Sequence, residues 1–66
     1  MGASLTRRER EIVELVAQGL KNKVIAARLS IAERTVKNHL QSIFRKMGVS
    51  NRLELAVRVI RQGKGH

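Results

Sequence analysis

The stretch Glu33–Met47, ERTVKNHLQSIFRKM, decides how the rest of the chain is read. At roughly 100° per residue, Val36, Leu40, Ile43, Phe44 and Met47 gather into one apolar stripe. Arg34, Lys37, Asn38, Gln41 and Arg45 fan out on the opposite side. The stripe asks for a core. Lysine and arginine on the fan suit phosphates and guanine edges, and the amides of Asn38 and Gln41 suit the paired donor and acceptor that adenine offers in the major groove. No carboxylate interrupts that fan. A merely solvated face is the plainer reading of the same pattern, so the neighbouring segments have to decide.

Outward from this helix, Val24, Ile25 and Leu29 place a short helix at about 22–29, with Asn22 the best side chain to cap it. Only Ser30, Ile31 and Ala32 separate the two helices, the spacing of a helix-turn-helix. Further upstream, Thr6-Arg7-Arg8-Glu9 fits a capping box. It predicts a helix over about 7–19, with Ile12, Val13, Leu15 and Val16 inward and Gly19 closing it in the left-handed conformation. Downstream, Gly48 stops the long helix, Val49 fills the joint, and Ser50 or Asn51 caps a fourth helix over about 51–62. That helix carries two apolar lines. Leu53, Ala56, Val57 and Ile60 are read as its core side, and Leu55, Val59 and Gln62 as a second line left for self-association. The expected architecture is all-α, a four-helix helix-turn-helix domain over residues 5–62, between a linker or expression remnant at 1–4 and a flexible tail at 63–66.

Composition narrows the function. Fourteen lysines and arginines against five acidic residues, all glutamate, leave a net charge of +9 on 66 residues, which points to a polyanionic partner and to nucleic acid first. Cysteine is absent, and His39 and His66 lie too far apart for zinc-ligand spacing, so no cofactor or metal is expected. A chain this short buries only about 60% of its unfolded surface and has a small core to rely on. Without aspartate, cysteine or a partnered histidine, no converging acids and bases can be assembled, and an enzyme is not expected. Apolar runs stay too short for a membrane span or a secretory signal, which reads as a cytoplasmic protein.

The runs LTRRERE (Leu5–Glu11), VAQGLKNKVIAARL (Val16–Leu29) and ERTVKNHLQSIFRKMGVSNRLELAV (Glu33–Val57) together closely resemble the LuxR-type helix-turn-helix domain, in particular its NarL/FixJ branch. The resemblance covers about Leu5 to Ile60 and rests on LTxRE, NKxIAxxL, ERTVKNHL and GVxNRxELA occurring together. It implies a bacterial transcription regulator of the two-component response-regulator kind. Its expected partners are then double-stranded DNA, a second copy of the chain bound weakly through the fourth helix and only on DNA, and RNA polymerase. Neither a receiver nor a ligand-sensing domain is present in these residues, so the chain is read as an excised output domain or a stand-alone member.

Carried over position by position, the resemblance puts Lys37, Asn38 and Gln41 on base edges and Thr35 and Lys23 on phosphates. Lys21, Asn22, Arg34, Arg45 and Lys46 are further phosphate candidates. Glu9 is expected to cap its helix or pair with a basic residue such as Arg52, and His39 to pack or hydrogen-bond. The fourth helix, through Leu55, Val59 and Gln62, is expected to serve dimerisation. Two helix starts depart from the family's pattern: Ala32 stands where a Ser or Thr caps the long helix, and Lys21 and Val24 replace the capping pair of the short one. Region 4 of a sigma factor shares the helix-turn-helix and the ERE-type first helix, but GVSNRLELAV speaks against it. A basic helical module for acidic proteins or membrane surfaces is the rival of another class. Against it stands the interleaving of Asn, Gln and Thr among the charges.

Overall fold

The computed structural model describes residues 4–63, so the expectations for 1–3 and 64–66 lie outside the described residues. Four helices follow in order: α1 (Arg7–Ala17), α2 (Asn22–Leu29), α3 (Glu33–Met47) and α4 (Arg52–Gly63). The all-α expectation holds. The expected limits of α2 and α3 are met, α1 ends two residues earlier than expected, and α4 is displaced by one residue.

Ile12, Ile25, Val36, Ile43 and Leu55 are fully buried and come from all four helices, so one small core ties the chain together. α1 packs most extensively on α4 and also lies against α3, while α2 packs on α3. Val49 is buried at the α3–α4 joint, and Ile31, in the turn between α2 and α3, packs against the core as expected.

Three turns close on a left-handed residue. After α1, the Gly19 N–H donates to the Val16 carbonyl at 2.9 Å and the Leu20 N–H to that of Leu15 at 3.3 Å, with Gly19 at φ +86°. This is the paired arrangement that satisfies the last carbonyls of a helix. After α2, Ser30 and Ile31 donate to Ala27 and Ala26 at 3.3 and 3.0 Å, and Ser30 takes φ +58°. After α3, Gly48 sits at φ +67° and the Val49 N–H reaches the Phe44 carbonyl at 3.1 Å. Only the helix-turn-helix turn uses a residue with a Cβ for the left-handed position.

The fourth helix corrects the sequence reading. Leu55 is fully buried and Val59 packs against the core, so the line read as a dimer surface is the core side. Leu53, Val57 and Ile60 are 73%, 43% and 46% exposed. Gln62 is exposed, but it sits on the line of Leu55 and Val59, beyond the point where the core ends. The phase is set by two arginines of α4. Arg52 donates Nη1 to Asn22 Oδ1 at 2.6 Å and Nη2 to the Leu20 carbonyl, and Arg58 Nη1 reaches the Met47 carbonyl at 3.0 Å. Both lie on the side of Leu55 and turn it inward.

Candidate nucleic-acid interface

α3 presents three faces. Val36, Leu40 and Ile43 are buried. Arg34, Lys37, Asn38, Gln41 and Arg45 are all exposed, and none of these side chains has a hydrogen bond or ion pair among the described residues. Along the third face run Ser42 and Lys46, one turn apart, which meet Glu9 of α1. His39 is half-buried between these faces, and no hydrogen bond of its side chain occurs among the described residues.

Glu9 is the buried ionic centre of the domain, only 3% exposed. Its carboxylate accepts from the Thr6 N–H at 2.9 Å, Ser42 Oγ at 3.0 Å and Lys46 Nζ at 2.8 Å, while the Thr6 hydroxyl accepts the Glu9 N–H at 3.1 Å. The capping box is therefore complete. Its partner is Lys46, where the sequence suggested Arg52. The lysine bond, then the Thr6 N–H, hold the carboxyl at about 2 against an ordinary 4.5; burial opposes this and the Ser42 hydroxyl adds to it. Lys46 is thus engaged internally, which corrects its expected place among the phosphate candidates. The i, i+4 spacing of Ser42 and Lys46 on the edge of the apolar stripe was the signal available in sequence, but their partner lies more than thirty residues away.

The start of α2 also differs from the expectation. Lys21 holds the cap position, with no side-chain hydrogen bond to the helix end, and Asn22 is already helical. The Asn22 side-chain oxygen accepts from Arg52 instead of capping the helix. Lys21 and Lys23 are exposed beside this bare end. α3 begins the same way: Ala32 at φ −72° and ψ 150° has the backbone of a cap and no side chain to complete it. Thr35 is half-buried just inside that end. The first N–H groups of both helices therefore lack a side-chain acceptor, the state in which a helix start receives an anion.

Between the start of α2, the outer side of α3 and the α3–α4 turn lies an open hollow of about 410 Å³, lined by Asn22, Lys37, Leu40, Gln41, Phe44, Ser50, Asn51 and Arg52. It continues the exposed fan of α3. Among the described residues no group of three or more His, Asp, Glu or Cys is placed to hold a metal ion, and no helix is long and apolar enough to cross a membrane.

A short helix and a longer one joined at a left-handed turn, the second carrying an open donor face, form a helix-turn-helix. The sequence pattern described as bacterial regulatory proteins, luxR family, matches residues 3–59. The chain belongs to this luxR family. It is a helix-turn-helix DNA-binding domain of a transcription regulator, in a family of regulators and not of enzymes. It is 55% identical over 53 residues to the nitrate/nitrite response regulator protein NarL of Escherichia coli, covering 80% of this chain and 24% of NarL. It is 43% identical over 60 residues to the spore germination protein GerE of Bacillus subtilis, covering 91% of this chain and 81% of GerE. To the transcriptional regulatory protein DegU of Brevibacillus brevis it is 44% identical over 59 residues, covering 89% of this chain and 25% of DegU. The chain thus spans about a quarter of NarL and of DegU and most of GerE.

Proposed function

We propose that this luxR-family domain reads a DNA operator with α3 in the major groove, Lys37, Asn38 and Gln41 meeting base edges. The observation that carries this reading is the fan of five exposed donor-bearing side chains on α3, without partners among the described residues and flanked by two helix starts that lack side-chain caps. Base edges take the amides and the ammonium. Thr35, Lys21, Lys23, Arg34 and Arg45 hold phosphates around them, and the bare N–H groups of α2 and α3 add uncharged donors to the same strands. Similarity to the nitrate/nitrite response regulator supports a place as the output domain of a two-component regulator, working in the bacterial cytoplasm where the chromosome is.

A single helix-turn-helix reads few base pairs, so useful affinity comes from two copies on half-sites about 10 bp apart. Leu53, Val57 and Ile60, at i, i+4 and i+7 of α4, form the apolar stripe that the core leaves outside, and a second copy covers it in the DNA-bound dimer. The outer side of α2, where Val24 is exposed, is left for RNA polymerase.

Selection from a random duplex pool tests the reading. An operator with paired half-sites, preferred about 10³-fold over a scrambled duplex, is the expected result. Lys37→Ala then lowers affinity for it by about 1–3 kcal/mol and relaxes one base position, and Val57→Glu abolishes cooperative filling of the second half-site. Binding with no enriched sequence, collapsing as salt rises, would leave only general attraction to polyanions.

A further inference from the structure

We propose that the hollow between the start of α2 and the α3–α4 turn is a phosphodiester site, which holds the backbone of the strand next to the bases that Lys37 and Gln41 read. The inference rests on the operator-reading proposal and extends the contact surface from α2 and α3 to the turn before α4.

What singles the hollow out is the state of its two asparagines. Asn22 Oδ1 accepts from Arg52 Nη1 at 2.6 Å, and Asn51 Oδ1 accepts from the Glu54 N–H at 2.8 Å. Each amide oxygen is engaged by the fold, and that bond fixes which end is which. The N–H₂ donors of both amides have no partner among the described residues and are left for the hollow that the two asparagines line. Ser50 joins them: its backbone N–H is committed to Glu54 Oε1 at 2.6 Å, while its hydroxyl has no partner among the described residues. Lys37 supplies the charge on the opposite wall, and no carboxylate lines the cavity.

A hollow walled by two amides with unpartnered N–H₂ donors, a hydroxyl and an ammonium suits an anion with several acceptor oxygens. Arg52, which also lines the hollow, adds positive charge there, while one N–H of each of its terminal nitrogens is engaged within the protein. It acts as a positioning residue, holding the Asn22 amide with its donors free. Lys37 and Gln41 belong both to this wall and to the reading fan, so the anion that fits is a phosphate of the DNA strand that α3 lies along, not a separate small molecule.

Asparagine-to-aspartate exchange tests this without dismantling the fold. Asn22→Asp keeps an oxygen for Arg52, and Asn51→Asp keeps a good helix cap, but each replaces the donors with a charged acceptor. Each variant is expected to melt no lower than the wild type and to bind the selected operator about tenfold or more weakly. Gln62→Glu, at the other end of α4, controls for the change in net charge and is expected to have little effect. A scan of the operator with neutral methylphosphonate linkages then locates the contact. One linkage costs the wild type about tenfold and costs Asn22→Asp little, because it also removes the new repulsion. Aspartate variants that bind like the wild type, while Lys37→Ala remains defective, overturn the hollow and leave the DNA reading standing. If no operator is selected and Lys37→Ala has no effect, the operator reading fails, and this inference with it.

Discussion

The two pairs of helices begin differently. α1 starts on a complete capping box, and α4 starts on Asn51, whose side chain takes the Glu54 N–H while the Glu54 carboxylate takes the N–H of Ser50. α2 and α3 start on Lys21 and Ala32, with no side-chain cap at either. The capped helices are the pair that pack most extensively on each other, and the bare ones form the helix-turn-helix. A missing cap costs about 0.5–2 kcal/mol, a large amount for a domain with so small a core. Side-chain caps are concentrated in the scaffold, and the two helix starts proposed for phosphate contact have none. The scaffold also supports one of the bare ends directly, since Arg52 of α4 holds Asn22 and the Leu20 carbonyl at the start of α2.

Breaking the capped side gives the largest expected effect. Glu9 satisfies the start of α1 and ties it to Ser42 and Lys46 of α3. Its carboxyl titrates at about 2 in the fold against an ordinary 4.5. A lowered folded-state value means that the stabilisation is fully present above the ordinary value and is lost as pH falls through the folded one. It amounts to about 3 kcal/mol. Urea denaturation of Glu9→Gln is expected to show a loss of about that size at pH 7, with the gap to the wild type closing as pH is lowered from about 5 towards 2. A loss that stays constant across this range would show that packing, and not the ionised carboxylate, is what the substitution removed.

The same contrast explains what could be read from the sequence. α3 was legible because its fifteen residues contain a single apolar stripe and a single donor fan. The start of α1 was legible because a capping box is complete within four residues. α4 was placed but turned the wrong way: Leu53, Val57 and Ile60 fit helical spacing as well as Leu55 and Val59 do. What chooses between them are the bonds from Arg52 to the α2 start and from Arg58 to Met47. Lys46 looked like one more basic residue of a recognition helix until folding brought Glu9 to it. Periodicity and caps are local, while the misreadings of the α4 phase, of Lys46 and of the Asn22 cap each sit where a charged side chain finds a partner outside its own helix. The departures at Lys21 and Ala32, by contrast, were visible as residue types, and both ends indeed lack a side-chain cap.

Adding a cap to the bare side sharpens the comparison with a smaller effect on stability. Ala32 already has cap-like backbone angles, so Ala32→Ser and Ala32→Asp should each stabilise the fold by about 1 kcal/mol in urea titrations. Their effects on DNA are expected to diverge. Serine keeps a hydroxyl that a phosphate can share, and operator affinity stays within about twofold of the wild type. Aspartate puts a negative charge where the proposed phosphate lies and lowers affinity by about tenfold or more. If both variants gained stability and bound equally well, the open start of α3 would be a plain structural deficit with no part in holding the backbone.

The smallest expected effect concerns the turn between the two bare helices. Ser30 holds φ +58°, a conformation that costs an L residue about 1–2 kcal/mol relative to the right-handed one. The equivalent turns after α1 and α3 use Gly19 and Gly48, which bear no such cost. Ser30→Gly removes the Cβ strain but gives the unfolded chain more freedom, which offsets part of the gain. A net stabilisation of about 0.5–1 kcal/mol is expected. The reciprocal change, Gly19→Ala, meets open space around the new Cβ, so any loss of stability there reports backbone strain less the freedom that alanine removes from the unfolded chain, with no clash added. Ser30 is exposed, and its backbone N–H already closes α2 on Ala27, so replacing it should leave operator affinity unchanged. Reduced affinity in a more stable Ser30→Gly protein would instead mean that the left-handed serine holds the angle between α2 and α3, which would move part of the site's specification from the helix faces into the turn.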